Sequence, residues 1–322
     1  MKKLNYFLLY SVLICMTLTG CSVRPSEKLL YTSDRFEAMA ASVPDERVLA
    51  DTFASDLCVV TGEEESSDPS VNAESAGLFS IADQQVIFQK QVFERMHPAS
   101  ITKVMTALLA VKYGNPDDLV TVGEETVIRE AGASLCNIHP GDTLTLEQLL
   151  YGLMLPSGND AGTAIAVHMA GSIEAFSERM NEEARKIGAT DTHFVNPHGL
   201  TDETHMTTAY DLYLILNEAL KYPEFRKIIG TADYVAQYQD GQGNEISQTW
   251  HNSNKYLNGE RETPEGLQVL GGKTGTTNAA GYCLILACED EKGQDYVSVV
   301  LKAGSRSDLY DNMTNIIRKI VN

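Results

Sequence analysis

Alternating apolar runs lie near both ends of this 322-residue chain, and the period of amphipathic helices fills its middle. Strands from distant parts of a chain can share a core only if they meet in one sheet. The helical middle must then form a lobe inserted between them. The early strands are Ala76 to Ile81 and Val86 to Gln89, a hairpin across the connection Ala82 to Gln85. The late ones are Val235 to Tyr238 and Ile246 to Trp250 around an Asp240-Gly241 turn, then Val269 to Thr276, Gly281 to Ala287 and Tyr296 to Leu301 in meander order. Leu57 to Val60 reads as a further short strand. Helical spacing is clearest after Ser100, where Ile101, Val104, Met105, Leu108 and Leu109 recur until Gly114, Asn115 and Pro116 stop the pattern. Further helices are predicted over 145–155, 158–170, 172–187 and 208–221. A closing helix over 306–320 carries Leu309, Met313, Ile316, Ile317 and Ile320 on one face. The predicted class is α+β: one antiparallel sheet flanked by helices, with an inserted helical lobe.

The first residues are of another kind. Lys2 and Lys3 precede an apolar stretch from Tyr6 to Leu18, which has the length of an export signal and is short for a bilayer span. It ends in Leu18, Thr19, Gly20 and Cys21, which resembles the lipobox of bacterial lipoproteins. That resemblance implies a signal peptide over 1–20, lipid on Cys21, a tether over 21–55 and a folded domain over 56–322, held outside the cytoplasm on the membrane by the N-terminal lipid. Loss of Lys2 and Lys3 would deepen the formal net charge of −19 by two. A chain this acidic is unsuited to nucleic acid, and an anionic substrate would have to be caught by locally placed cations. Glu63, Glu64, Glu65 and Asp68 read as a solvated acidic loop. Cys58, Cys136, Cys283 and Cys288 read as structural, and Cys283 and Cys288, five apart on a strand, should point to opposite faces. The seven His form no His-Glu-x-x-His pattern, so neither a zinc centre nor another cofactor is expected.

Three short motifs carry chemistry. Ser100 and Lys103 are three apart on a helix and share a face, so the amine can reach the hydroxyl it would deprotonate. At a helix start, free backbone N–H groups also favour a developing oxyanion. In Pro156-Ser157-Gly158-Asn159, the Ser157 hydroxyl can relay a proton and the Asn159 amide can hold a substrate amide. Read alone, Ser157 with Asp160 three residues on favours a capping box. Lys273, Thr274, Gly275 and Thr276 lie on a late strand that could pair with an extended peptide, the lysine and the two hydroxyls binding its terminal carboxylate and Gly275 keeping the backbone accessible.

In this order the three motifs form the set known from penicillin-binding proteins and class A β-lactamases. The stretches PASITKVMTALLA (98–110), HPGDTLTLEQLLYGLMLPSGND (139–160), THFVNPHGL (192–200) and GGKTGTTNAAGYCL (271–284) narrow it further. Over about residues 76–304 the chain resembles the low-molecular-mass penicillin-binding proteins that are serine D-alanyl-D-alanine carboxypeptidases of the peptidase S11 type, with a β-lactamase/transpeptidase-like fold. The resemblance implies that Ser100 attacks the carbonyl between the two terminal D-alanines of a peptidoglycan stem peptide, with Lys103 as base and Ser157 as proton relay. The N–H groups of Ser100 and Thr276 would stabilise the oxyanion, and β-lactams would acylate Ser100. The same motifs serve D,D-endopeptidases and transpeptidases. A class A β-lactamase fits less well, because Gly158 stands where that class has Asp and no Glu-x-x-x-Asn occurs between residues 160 and 270. A lipoprotein that only binds β-lactam or peptidoglycan would need a defective site, and none is visible. Many relatives add a second β-rich domain and a C-terminal amphipathic helix. Here 46 residues follow Thr276, two strands and a helix account for them, and the N-terminal lipid is expected to replace that anchor. His198 is expected to pack the helical lobe.

Overall fold

The structure, a computed structural model, describes residues 57–60, 66 and 68–321. The signal, Cys21, the tether and the acids Glu63, Glu64 and Glu65 lie outside the described residues.

Among the described residues, nine strands form two antiparallel sheets. The larger has the order β2-β1-β9-β8-β7, from β1 (Ser75–Ser80), β2 (Gln85–Lys90), β7 (Leu267–Thr277), β8 (Gly281–Asp290) and β9 (Asp295–Ala303). The first hairpin thus pairs with the last strand through register such as Ala76 with Val300, as strands from both chain ends require. The smaller sheet has the order β3-β4-β5-β6, from β3 (Leu119–Thr121), β4 (Thr143–Thr145), β5 (Asp233–Gln239) and β6 (Glu245–His251). This corrects the expectation of one sheet. The β5–β6 hairpin leaves the meander and joins two three-residue strands too short to display alternation. Its own residues alternate between exposed and covered, which suits a sheet with one wet face and not the doubly buried centre of the larger sheet.

Among the described residues seven helices follow the predicted pattern with one addition: α1 (Lys103–Tyr113), α2 (Leu146–Met154), α3 (Asn159–Ala170), α4 (Ile173–Lys186), α5 (Ala209–Ala219), α6 (Pro223–Ile229) and α7 (Arg306–Ile317). Local chemistry sets their starts. Thr145 and Gln148 make a capping box on α2, and Ser172, Thr208 and Ser305 each accept a backbone N–H from the first turn of their helices. Pro223 follows the helix predicted over 208–221. It also opens α6 at a first-turn position, where its missing N–H costs nothing.

The larger sheet is buried on both faces. Cys283, Ile285 and Ala287 of β8 face the helical lobe, while Leu284, Leu286 and Cys288 face α7 together with Leu309, Met313, Ile316 and Ile317. Cys283 and Cys288 therefore do lie on opposite faces, and the four cysteines Cys58, Cys136, Cys283 and Cys288 are free thiols.

Two expectations fail at the start of the described chain. Leu57 to Val60 is not a strand. The Cys58 N–H donates to the Tyr213 hydroxyl and the Tyr210 hydroxyl donates to the Cys58 carbonyl, so tyrosines take the groups a ladder would use. Asp68 is not free in solvent. Lys319 and the Ser70 hydroxyl hydrogen-bond its carboxyl and hold it down at about 2.

Because Leu284 is fully buried between β8 and α7, Leu284→Ala should cost about 2–5 kcal/mol, the range for cavities in tightly packed cores. Urea unfolding measures it, and a loss well below that range would mean that α7 is only loosely docked.

Candidate active site

Ser100 sits in a short 3-10 turn, Ala99–Thr102, that runs directly into α1. The turn begins with strain: Ala99 has a φ of 47°, a left-handed value that costs an alanine roughly 1 kcal/mol or more. It places Ser100 and Lys103 on one side, with Lys103 Nζ 3.0 Å from Ser100 Oγ. The same nitrogen lies 2.6 Å from Asn159 Oδ1 and 2.7 Å from the His198 carbonyl oxygen. An ammonium would donate to all three. A neutral amine has two N–H bonds for Asn159 and His198, and its lone pair then faces the Ser100 hydroxyl.

Burial decides between these states. Lys103 is wholly enclosed, which drives its pKa well below the lysine range, and repulsion from Lys273 drives it further, against partial support from Asp160 and Cys136. Lys273 is lowered to about 7 by burial alone. Burial alone acts on Lys273, whereas Lys103 feels burial and the repulsion of Lys273 together.

Asn159 is the first residue of α3, and the turn before it is held open by a crowded glycine. A Cβ on Gly158 would come within 2.7 Å of Asp160 Oδ1, 2.8 Å of the Gly152 carbonyl and 2.9 Å of Cys136 Cβ. This explains why no Asp stands at the centre of the Ser-x-Asn motif. The capping reading of Ser157 is overturned. Gly158 is the N-cap and makes no side-chain bond, Ser157 has a φ of 68°, and the Asp160 carboxylate instead accepts N–H groups of Cys136, Ile138 and Ala161. Asp160 thereby pins the preceding loop beside the cleft. The Cys136 carbonyl is held in turn by Trp250 Nε1 and Gln248 Nε2 of β6.

Strand β7 forms the opposite wall. It is an edge strand, so one side of its backbone is unpaired within the sheet. A Cβ at Gly275 would lie 3.0 Å from both Ser100 N and the Pro98 carbonyl, so only glycine lets the strand approach the serine this closely. Ser100, Ser157, Thr274, Gly275 and Thr276 line one cleft. Lys103, Asn159 and Lys273 stand behind its wall, almost fully buried. The eight predicted site residues therefore converge, five on the surface and three beneath it.

Sequence reasoning missed three polar groups of this cleft: Ser134, Ser253 and Arg306. Ser253 Oγ is 2.9 Å from Thr274 Oγ1 and steadies it. Arg306 is exposed and has no acidic partner among the described residues. The signal for it was legible: Arg306 stands in the first turn of α7, where a helix dipole favours acids over cations. Lys273 does not reach the cleft surface, so the cation presented there is Arg306. His198 is buried as expected, its ring neutral with a pKa lowered to about 3 by burial, but its carbonyl also serves Lys103.

A Ser-x-x-Lys helix start, a Ser-x-Asn turn from an inserted lobe and a Lys-Thr-Gly edge strand, on an antiparallel sheet between helices, define the β-lactamase/transpeptidase-like class of penicillin-binding D,D-peptidases. Within it the chain belongs to the D-alanyl-D-alanine carboxypeptidase family, whose model matches residues 62–305. D-alanyl-D-alanine carboxypeptidase DacF of Bacillus subtilis is 31% identical over 83% of this chain and 66% of its own length. DacC of Escherichia coli is 34% identical over 74% of this chain and 58% of its own. The chain thus spans less than two thirds of these curated relatives. The crystal structure of the Streptomyces K15 DD-transpeptidase superposes with a TM-score of 0.73 at 29% identity, over 79% of this chain and 98% of that one.

The lysine burial has a measurable sign. Lys273 binds its proton less tightly folded, at about 7, than unfolded, near 10.5. Across that window the unfolded chain carries more protons, so stability rises with pH, and below it the full cost of burying the ammonium is present. Lys103 adds a slope of the same sign. Lys273→Met should therefore flatten the gain in urea midpoint between about pH 7 and 10 relative to the wild-type chain. An unchanged slope would mean that Lys273 is solvated.

Proposed function

We propose that this protein is a serine D-alanyl-D-alanine carboxypeptidase that removes the last D-alanine from peptidoglycan stem pentapeptides. The observation that carries the reading is the 3.0 Å contact between Ser100 Oγ and a fully buried Lys103 amine. Desolvation makes that amine a base at neutral pH. It takes the Ser100 proton as Oγ attacks the carbonyl between the two D-alanines. The Ser100 and Thr276 N–H groups hold the oxyanion, an interaction worth ~3–4 kcal/mol in the barrier. Ser157 passes the proton to the leaving D-alanine nitrogen, and water then cleaves the Ser100 ester. Asn159 orients Lys103 through Oδ1.

The substrate backbone adds to the free edge of β7, with its terminal carboxylate between Thr274, Thr276 and the exposed Arg306 guanidinium. Lys273 supports this charge from beneath and keeps Lys103 neutral. β-Lactams, which resemble the D-alanyl-D-alanine end, acylate the same serine. The cleft wall contains no Asp or Glu among the described residues, so no carboxylate base is at hand to activate water. This supports a long-lived penicilloyl ester over β-lactamase turnover. We further propose that the chain is exported, lipidated on Cys21 and held on the outer side of the cytoplasmic membrane.

Ser100→Ala should abolish covalent labelling by fluorescent penicillin with little change in thermal stability. Labelling at full stoichiometry would place the nucleophile elsewhere. With a muramyl pentapeptide, mass spectrometry should find tetrapeptide and free D-alanine at many turnovers. Loss of cross-linked dimers without free D-alanine would instead identify an endopeptidase, and new cross-links a transpeptidase. Amidating the terminal carboxylate, or Arg306→Ala, should lower kcat/KM tenfold or more, ~1.4 kcal/mol in the barrier. Equal cleavage of free and amidated peptide would defeat the carboxylate assignment. Cys21→Ala should release the protein from the membrane fraction, and retention of the processed variant would refute the lipid anchor.

A further inference from the structure

Behind Ser100 runs a chain of hydrogen bonds, buried in its links from His205 to Thr102 and Ala99, that the proposed chemistry has not used. The Val195 N–H donates to His205 Nδ1 at 3.2 Å. That acceptor role places the imidazole proton on Nε2, which lies 2.8 Å from Thr102 Oγ1. The Thr102 hydroxyl in turn donates to the Ala99 carbonyl at 2.9 Å. Every proton along the chain points one way, toward Ala99. His205 and Thr102 are each 1% exposed, so no water competes for these groups. Burial also lowers the His205 pKa to about 4, which keeps the ring neutral and the direction of donation constant.

The carbonyl at the end of the chain belongs to the peptide that precedes the nucleophile. In a trans peptide the C=O and the following N–H point in opposite directions. Fixing the Ala99 oxygen therefore fixes where the Ser100 N–H aims. The aim needs fixing, because Ala99 is in the left-handed region at a φ of 47° and would relax if released. Gly199 closes the other side: a Cβ there would stand 1.9 Å from the Ala99 oxygen. Over the N–H side stands the β7 backbone, with the Cβ position of Gly275 3.0 Å from Ser100 N.

We infer that His205 and Thr102 are positioning residues for the oxyanion hole, holding the strained Ala99–Ser100 peptide so that its N–H faces the cleft. The inference rests on the acyl-transfer reading of Ser100. It assigns to the Thr of Ser-Ile-Thr-Lys a role that neither the nucleophile nor the base fulfils. A misaimed N–H weakens the transition state and leaves ground-state binding intact.

The test is stopped-flow acylation of the full chain by a fluorescent penicillin over a range of concentrations. The rate constant at saturation, the half-saturating concentration and the amplitude are read separately. The amplitude gives the folded fraction, so partial unfolding does not affect the rate constant of the molecules that react. Thr102→Val, which keeps the shape and removes the hydroxyl, should lower the saturating rate about 10- to 100-fold, part of the loss seen when an oxyanion donor is deleted. The half-saturating concentration should stay unchanged. Thr102→Ser should restore most of the rate, and His205→Leu should resemble Thr102→Val. Equal saturating rates in Thr102→Val and wild type, or a defect confined to half-saturation, would overturn the inference while leaving the function standing. A wild-type chain that is never acylated would overturn both.

Discussion

The buried amine of Lys103 is the contact on which the site depends. It joins three pieces of chain that are remote in sequence: the start of α1 at Ser100, the start of α3 at Asn159 and the loop carrying the His198 carbonyl. A lysine enclosed this completely is tolerated only if its polar atoms are met, and each of the three contacts meets one. The same enclosure lowers the amine's pKa well below the usual lysine range. Structure and electrostatics thus share one cause, because the desolvation that demands three partners also favours the neutral amine.

Around that amine the backbone is held in conformations it would not choose. Ala99, which precedes the cleft residue Ser100, and Ser157, which lines the cleft, both have positive φ. Neither conformation is stable alone. Neighbouring glycines at 158, 199 and 275 allow backbones to approach where a Cβ would collide, Thr102 takes the Ala99 carbonyl, and Asp160 ties down the loop at Cys136 beside Gly158. The larger sheet supplies the rigid reference. Buried on both faces, it presents β7 as an edge whose position relative to Ser100 is set by packing and not by a flexible loop.

The cations divide their work by depth. Arg306 is exposed at the mouth, where an anion can meet it in solvent, while Lys273 lies behind the wall at a pKa of about 7 and acts through its field. In a chain with a net charge of −19, this separation leaves a local positive target for an anion.

Much of this was legible in the linear chain. Apolar periodicity located six of the seven helices among the described residues and the five long late strands. The spacing of Ser100 and Lys103 already required one helical face, because a three-residue step is a property of the backbone itself. The alternation in β8 likewise separated Cys283 from Cys288. What the linear chain could not decide were matters of distance between elements. The smaller sheet depends on β3 and β4, whose three residues each carry too little pattern. The choice between cap and cleft for Ser157 turned on where the Asp160 carboxylate found its donors, and these lie in a loop more than twenty residues away. Arg306 became a site residue only when α7 docked against the sheet. Sequence determined which groups could do acyl-transfer chemistry, since reactivity follows from residue type and local spacing. Tertiary structure alone decided that Lys103 would be dry, because desolvation belongs to everything packed around an atom and to no residue by itself.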